Sequence, residues 1–198
     1  MKPASDWVLA THNQGKIKEI ADLLMPYGIT LRSAADFGLP EPDETEATFA
    51  GNAALKAQAA CDATGLPALA DDSGLAVTAL GGAPGIYSAR WAGEPRDFDR
   101  AMGRVHTELT DSGSEDRSAA FVCTLALVEP GGAPRSYEGR VEGQIVWPPR
   151  GDGGFGYDPI FVPNGETRTF AQMSMDEKKS MSHRGRAIAE MIAGEFGQ

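Results

Sequence analysis

The sequence predicts an α/β fold with a partly antiparallel sheet. Strands and helices follow one another in mixed order, which points to this class. Ser118 to Glu129 and Tyr137 to Trp147, around Pro130-Gly131-Gly132-Ala133-Pro134, read as a long hairpin. A helix from Thr48 to about Thr64 carries alanines at 50, 53, 54, 57, 59, 60 and 63, as close packing against a sheet requires.

Trp7-Val8-Leu9-Ala10-Thr11 reads as a short buried strand and His12-Asn13-Gln14-Gly15 as a turn. From Lys16 onward, Ile17, Ile20, Ala21 and Leu24 recur at helical spacing, and Pro26 and Gly28 end the helix. Ile29 to Leu31 is a second strand, and Asp36 to Ala47 an acidic loop with Pro40 and Pro42. Thr48 caps the alanine-rich helix, which Gly65 and Pro67 close. The apolar run Leu66 to Ala70 stops at Asp71-Asp72-Ser73-Gly74, read as a turn, and Leu75 to Leu80 follows as a strand. Gly81 to Gly85 is a loop leading to Tyr87, Arg90 and Trp91. A helix covers about Asp97 to Leu109, a polar loop Asp111 to Asp116, and a short strand Ile160-Phe161-Val162. Ser174 and Glu177 have capping-box spacing, and a last helix runs from about Ser182 to Phe196.

The 198 residues are read as one domain. Hydrophobic content of 41% and charged content of 23% are those of a soluble globular protein. The formal net charge of −10 argues against a nucleic-acid or membrane-surface binder, which needs a basic face. It leaves room for an anionic small molecule met by a few local cations. No apolar run approaches the roughly 18 residues of a membrane span, and no signal pattern stands at the N-terminus, so a cytoplasmic location is expected. Cys61 and Cys123 are read as buried free thiols, with a disulfide left open.

Six stretches could carry chemistry. Asp71-Asp72 supplies paired carboxylates suited to Mg²⁺, which takes one or two carboxylates plus substrate phosphates; a solvated Asx turn is the alternative. Thr11-His12-Asn13-Gln14-Gly15-Lys16 runs from a strand into a helix N-terminus, where N–H groups and a lysine favour an anion; an ordinary cap is the alternative. Asn52 and Lys56 share a helix face, pointing either inward to an anion or out to solvent. The acids Glu41, Asp43, Glu44 and Glu46 are solvated surface unless the fold brings them near Asp72. Lys178, His183 and Arg184 form a basic cluster between two helices, fit for a polyphosphate or a purine carbonyl, or for a helix dipole. Gly153-Gly154-Phe155-Gly156-Tyr157-Asp158-Pro159 joins glycines to rings, as stacking on a nucleobase requires, or forms a plain loop.

In order along the chain, these stretches resemble the non-canonical purine nucleoside triphosphate pyrophosphatase family, the Ham1-like or inosine triphosphatase family, in its bacterial branch. The resemblance rests on Ala10 to Lys16, Glu44-Thr45 with Thr48-Phe49, Asn52 with Lys56, Ala70 to Val77, Leu80 to Arg90, Gly153 to Phe161, and Ser182-His183-Arg184-Gly185. It implies a curved, elongated mixed sheet flanked by helices, with two lobes around a nucleotide cleft. It implies a Mg²⁺-dependent homodimer that cleaves inosine, deoxyinosine and xanthosine triphosphates to the monophosphate and pyrophosphate. On this chain it implies that Thr11, His12, Asn13, Gln14, Gly15, Lys16 and Lys56 hold the triphosphate. Glu44 and Asp72 would hold the metal, with Asp72 accepting the proton of the attacking water. Ser73, Phe155, Gly156, Tyr157, Asp158, Lys178, His183 and Arg184 would contact the nucleotide, the last two at the purine edge. Glu46 is an extra acid where the bacterial pattern has a small residue; the family register selects Glu44. The rival readings are a pyrophosphatase for modified or pyrimidine triphosphates and a nucleotide sensor without hydrolysis.

Overall fold

The computed structural model describes residues 5–11 and 14–197. The strands are β1 (Ser5–Leu9), β2 (Ile29–Ser33), β3 (Ala68–Val77), β4 (Ser118–Val128), β5 (Arg135–Ile145) and β6 (Phe161–Pro163). The helices are α1 (Gln14–Leu24), α2 (Phe49–Thr64), α3 (Ser88–Ala92), α4 (Phe98–Asp111), α5 (Met175–Met181) and α6 (His183–Phe196). The six strands form one mixed sheet in the order β2-β1-β3-β4-β5-β6. β1 lies parallel to both β2 and β3, with Trp7 opposite Leu31 and Leu9 opposite Leu69. β5 and β6 pair antiparallel, Ile145 against Phe161. The fold class is therefore the one expected.

The chain divides into two compact units. Unit 1 holds residues 1–72, 124–138 and 187–198; unit 2 holds 73–123 and 139–186. In unit 1, β1-α1-β2 and β2-α2-β3 are strand–helix–strand crossovers, so β1 leads the chain into α1 with β2 and β3 on either side. A reversal of strand order at the carboxyl ends of parallel strands is where open α/β sheets place ligands. The core of this unit packs the alanine face of α2 (Ala53, Ala57, Ala60) on Val8, Ala68, Ala70, Ala126 and Val128. Small side chains let the helix backbone approach the sheet closely. Thr48 caps α2 through Gly51 N–H at 3.0 Å, and left-handed Gly65 ends it.

Unit 2 is built on aromatic rings. Phe121 of β4 meets Phe161 edge-on at 4.7 Å and lies near-parallel to Phe170 at 5.8 Å. Phe161 and Phe170 are fully buried, each contributing about 1.5–3 kcal/mol by transfer alone. Cys61 and Cys123 are both buried and are not joined by a disulfide, which closes that alternative.

Several expectations are corrected. Asp71-Asp72-Ser73-Gly74 is not a turn: β3 runs unbroken from Ala68 to Val77, and residues 78–80 form a short 3₁₀ turn closed by left-handed Gly81. Both aspartates are buried and have partners inside unit 1, so the strand continues through them without a solvated turn. Left-handed Gly85 opens a helical stretch that leads into α3, an element that the Gly-Pro run hides. Residues 158–160 form a 3₁₀ turn, which moves the short strand to Phe161–Pro163. In the turn expected at 12–15, Gln14 and Gly15 open α1, while His12 and Asn13 lie outside the described residues.

Candidate active site

In unit 1, α1, α2 and the acidic loop each bring polar groups onto the aspartates of β3 or onto one another. Asp71 and Asp72 sit side by side in β3, 2% and 7% exposed. Successive strand residues face opposite ways, so each meets different partners. Asp71 Oδ2 pairs with Lys16 Nζ of α1 at 2.7 Å. Asp72 Oδ2 accepts a hydrogen bond from Asn52 Nδ2 of α2 at 3.2 Å. Asp72 Oδ1 lies 3.8 Å from Lys56 Nζ, one turn further along α2. Lys56 Nζ also donates to Glu44 Oε1 at 2.8 Å. Thus Lys56 points inward, and Glu44 is the loop acid that faces Asp72. Glu46 is exposed and contributes its backbone N–H, bonded to Asn52 Oδ1 at 3.0 Å. Thr11, at the end of β1, is buried.

Burial is the largest influence on Asp72 and lifts its pKa above the ordinary carboxylate range, aided by Glu44 and Asp71 and opposed by Lys56 and the Asn52 hydrogen bond. For Lys56, burial acts to lower the pKa but is outweighed by Asp72, Glu44 and Asp71, which hold the ammonium charged. Among the described residues no group of three or more His, Cys, Asp and Glu side chains has the geometry to hold a metal ion. Among the described residues, the carboxylates of Glu44 and Asp72 both lie within 4 Å of Lys56 Nζ.

In unit 2, the Phe155–Asp158 loop and the α5–α6 junction meet. Asp158 is 2% exposed, and its Oδ2 accepts from Phe155 N–H at 2.8 Å. A Cβ on left-handed Gly154 would fall 2.1 Å from that oxygen, so glycine is required there. The same oxygen pairs with Lys178 Nζ of α5. Lys178 Nζ in turn lies 4.3 Å from the centroid of the Phe155 ring, which is 59% exposed. Burial lifts the Asp158 pKa, against the pull of Lys178 and Arg184. Tyr157 is buried, donates to Ser88 O at 2.8 Å, and takes the Phe98 ring edge-on at 5.6 Å. Gly156 has φ 68° beside that ring. Ser182 opens α6 by accepting from Gly185 N–H at 3.0 Å. A Cβ on Gly185 would approach Lys179 O at 3.0 Å, which favours glycine at this junction. His183 and Arg184, the first residues of α6, are buried; the His183 ring stacks on Phe121 at 5.0 Å and 12°. The aromatic core thereby fixes the imidazole. Ser73 is half-buried on β3.

The structure brings Glu44, Lys56 and Asp72 into one polar cluster in unit 1, with Lys16 held separately on the neighbouring Asp71, and Phe155, Asp158, Lys178 and Arg184 into another in unit 2. It adds two groups to which the sequence assigns no such role. Asp71 is the partner of Lys16, and Asn52 bridges the loop to Asp72. The spacing of Asn52 and Lys56 places both on one helix face; the direction of that face is a matter of packing.

The Ham1 family model matches residues 7–194. A dITP/XTP pyrophosphatase of Gluconobacter oxydans (strain 621H) is 56% identical over 192 residues, 97% of this chain and 91% of that one. A dITP/XTP pyrophosphatase of Zymomonas mobilis subsp. mobilis is 55% identical over 187 residues, 94% of this chain and 90% of that one. The solved structure of a HAM1 protein from Coxiella burnetii superposes with a TM-score of 0.94 at 40% identity, covering 98% of this chain and all of the other. With a family model spanning nearly its whole length and relatives above half identity, the chain belongs to the Ham1 family.

Proposed function

We propose that this chain is a nucleoside triphosphate pyrophosphatase that hydrolyses ITP, dITP and XTP to the monophosphate and pyrophosphate. The observation that carries the reading is the Glu44–Lys56–Asp72 cluster, with Lys16 held by Asp71 beside it. The names of the relatives support the substrate class. Residues 1–198 would act as one nucleotide pyrophosphatase domain, as a cytoplasmic homodimer without nucleic-acid or membrane partners.

Glu44 and Asp72 fit Mg²⁺: two hard carboxylate oxygens already converge on one cationic group, Lys56. Bound there, Mg²⁺ would neutralise charge on the phosphate oxygens. The chain's own groups do the rest. Thr11, His12, Asn13, Gln14, Gly15 and Lys16, with Lys56, hold the triphosphate at a helix N-terminus flanked by two ammonium groups. Asp72 accepts a proton from the attacking water, and its raised pKa brings it closer to working pH. Ser73, Phe155, Gly156, Tyr157 and Asp158 contact the nucleotide. Phe155 offers an exposed ring for stacking. Lys178 contacts the substrate. His183 and Arg184 donate to the 6-keto oxygen of hypoxanthine or xanthine; adenine carries a donor at that position and leaves the arginine unpaired.

Pyrophosphate release with Mg²⁺ across ITP, XTP, dITP, dTTP, UTP, ATP and GTP tests the proposal. Release from ITP, dITP and XTP above the others is expected. Preference for a pyrimidine triphosphate would move the chain to the rival substrate class, and binding without release would make it a sensor.

A further inference from the structure

We propose that Asn52 is a positioning residue: it ties the acidic loop to Asp72 and so fixes the two carboxylates of the metal site relative to one another. The inference rests on the metal reading above. Asn52 is wholly buried in the first turn of α2. The orientation of its amide is decided by its neighbours. Glu46 N–H is a donor only, so the group facing it at 3.0 Å is the oxygen Oδ1. Nδ2 then faces Asp72 Oδ2 at 3.2 Å. One planar side chain thus spans from the loop to β3.

Two further contacts press the loop onto the helix. Thr48 Oγ1 accepts from Gly51 N–H at 3.0 Å. A Cβ on Gly51 would lie 2.7 Å from Glu46 Cβ, so the loop rests where a side chain would otherwise stand. The consequence reaches the carboxylates. Asp72 Oδ2 is committed to Asn52, and Oδ1 is the oxygen turned toward Lys56 at 3.8 Å. Glu44, two residues before the anchored Glu46, meets the same ammonium at 2.8 Å. Asn52 therefore assigns the two oxygens of Asp72 different partners and holds Glu44 opposite the outward one. A buried amide that only satisfied its own hydrogen bonds would stabilise the fold without coupling to Glu44.

The test uses the full chain and Mn²⁺ alone, without nucleotide, with binding followed by calorimetry and electron paramagnetic resonance. Wild type, Asn52→Ala, Glu44→Gln and the double variant are compared, each with a thermal melt. Asn52→Ala is expected to weaken Mn²⁺ binding by about tenfold or more, as loss of a group orienting a ligand does. The double variant is expected to be no more than about threefold weaker than Glu44→Gln, because Asn52 acts through the loop that carries Glu44. If Asn52→Ala fails to melt cooperatively, Asn52→Ser and Gly51→Ala take its place, the second disturbing the loop from the helix side. Mn²⁺ affinity unchanged in the folded variants overturns the proposal, and so do effects that multiply in the double variant. If Glu44→Gln binds Mn²⁺ as wild type does, the metal reading falls with it; a normal Glu44→Gln effect beside a silent Asn52→Ala sinks the role of Asn52 alone.

Discussion

Replacing Asp72 by asparagine separates chemistry from folding, because the change keeps shape and removes charge. Asp72 is buried, with Oδ2 on Asn52 and Oδ1 3.8 Å from Lys56. An amide at this position keeps its oxygen toward Asn52 and turns its NH₂ toward Lys56. The attraction lost is about 4 kcal/mol for unit charges roughly 4 Å apart at an effective dielectric near ~20. Relief from burying a carboxylate, the dominant influence on Asp72, works in the opposite direction. Lys56 keeps Glu44 at 2.8 Å and is not left unpaired. The two effects largely cancel, so stability should change by no more than about 2 kcal/mol. Turnover of ITP should fall roughly 10²–10⁴-fold, through loss of the proton acceptor and of a metal ligand. The assay is pyrophosphate release at saturating Mg²⁺, with a melt on the same sample. A folded variant within about threefold of wild type would refute the assignment and point to Asp71 instead.

Glu44→Gln should raise the Mg²⁺ concentration for half-maximal activity by about tenfold, while Glu46→Gln should not; a metal titration of both decides, and the reverse pattern moves the ligand to Glu46. Arg184→Ala should lower kcat/KM for ITP and XTP more than for ATP, by the roughly 1.5–3 kcal/mol of a charged hydrogen bond, whereas Lys16→Ala should weaken all triphosphates alike. An equal loss on every substrate for Arg184→Ala would remove that residue from base recognition. Burial raises the Asp158 pKa, so the native state keeps a proton that the unfolded chain releases. That contribution is present below the unfolded value of about 3.9 and is lost as pH rises through the native one. Denaturation at stepped pH should therefore show wild type losing stability relative to Asp158→Asn across that window, and a gap that moves the other way contradicts the raised pKa.

What was legible in the sequence is what short-range rules govern. Thr48 and Gly65 mark α2, Ser174 and Glu177 cap α5, and the alanine spacing marks the face of α2 that packs on the sheet. The strand course of the carboxylate pair is not legible, because Ser73-Gly74 has the composition of a turn. Its strand conformation comes from sheet neighbours and from Lys16, Asn52 and Lys56, and most of these contacts are distant in sequence. The choice between Glu44 and Glu46 depends on the path of a loop without periodicity. In the structure Glu44 bonds Lys56, and the backbone of Glu46 meets Asn52. The link from Phe121 to His183 was not legible either, since strand periodicity says nothing of which ring covers which.

The distribution of charge argues that these clusters are retained for function. The chain carries a formal charge of −10, yet it buries Lys56, Lys178 and Arg184 together with Asp71, Asp72 and Asp158. Desolvating such groups costs several kcal/mol per ion, and a buried pair often gives no more stability than apolar residues of similar volume. Asp72 and Asp158 bear that cost: burial raises both pKa values despite an adjacent lysine. A fold selected for stability alone would gain by replacing them. On the proposed function their retention has a physical reason. A triphosphate needs concentrated positive charge, while the acidic exterior disfavours nucleic acids and other extended polyanions. Setting each lysine against a carboxylate keeps its charge compensated in the free protein, so that phosphate oxygens can take over as partners when substrate arrives.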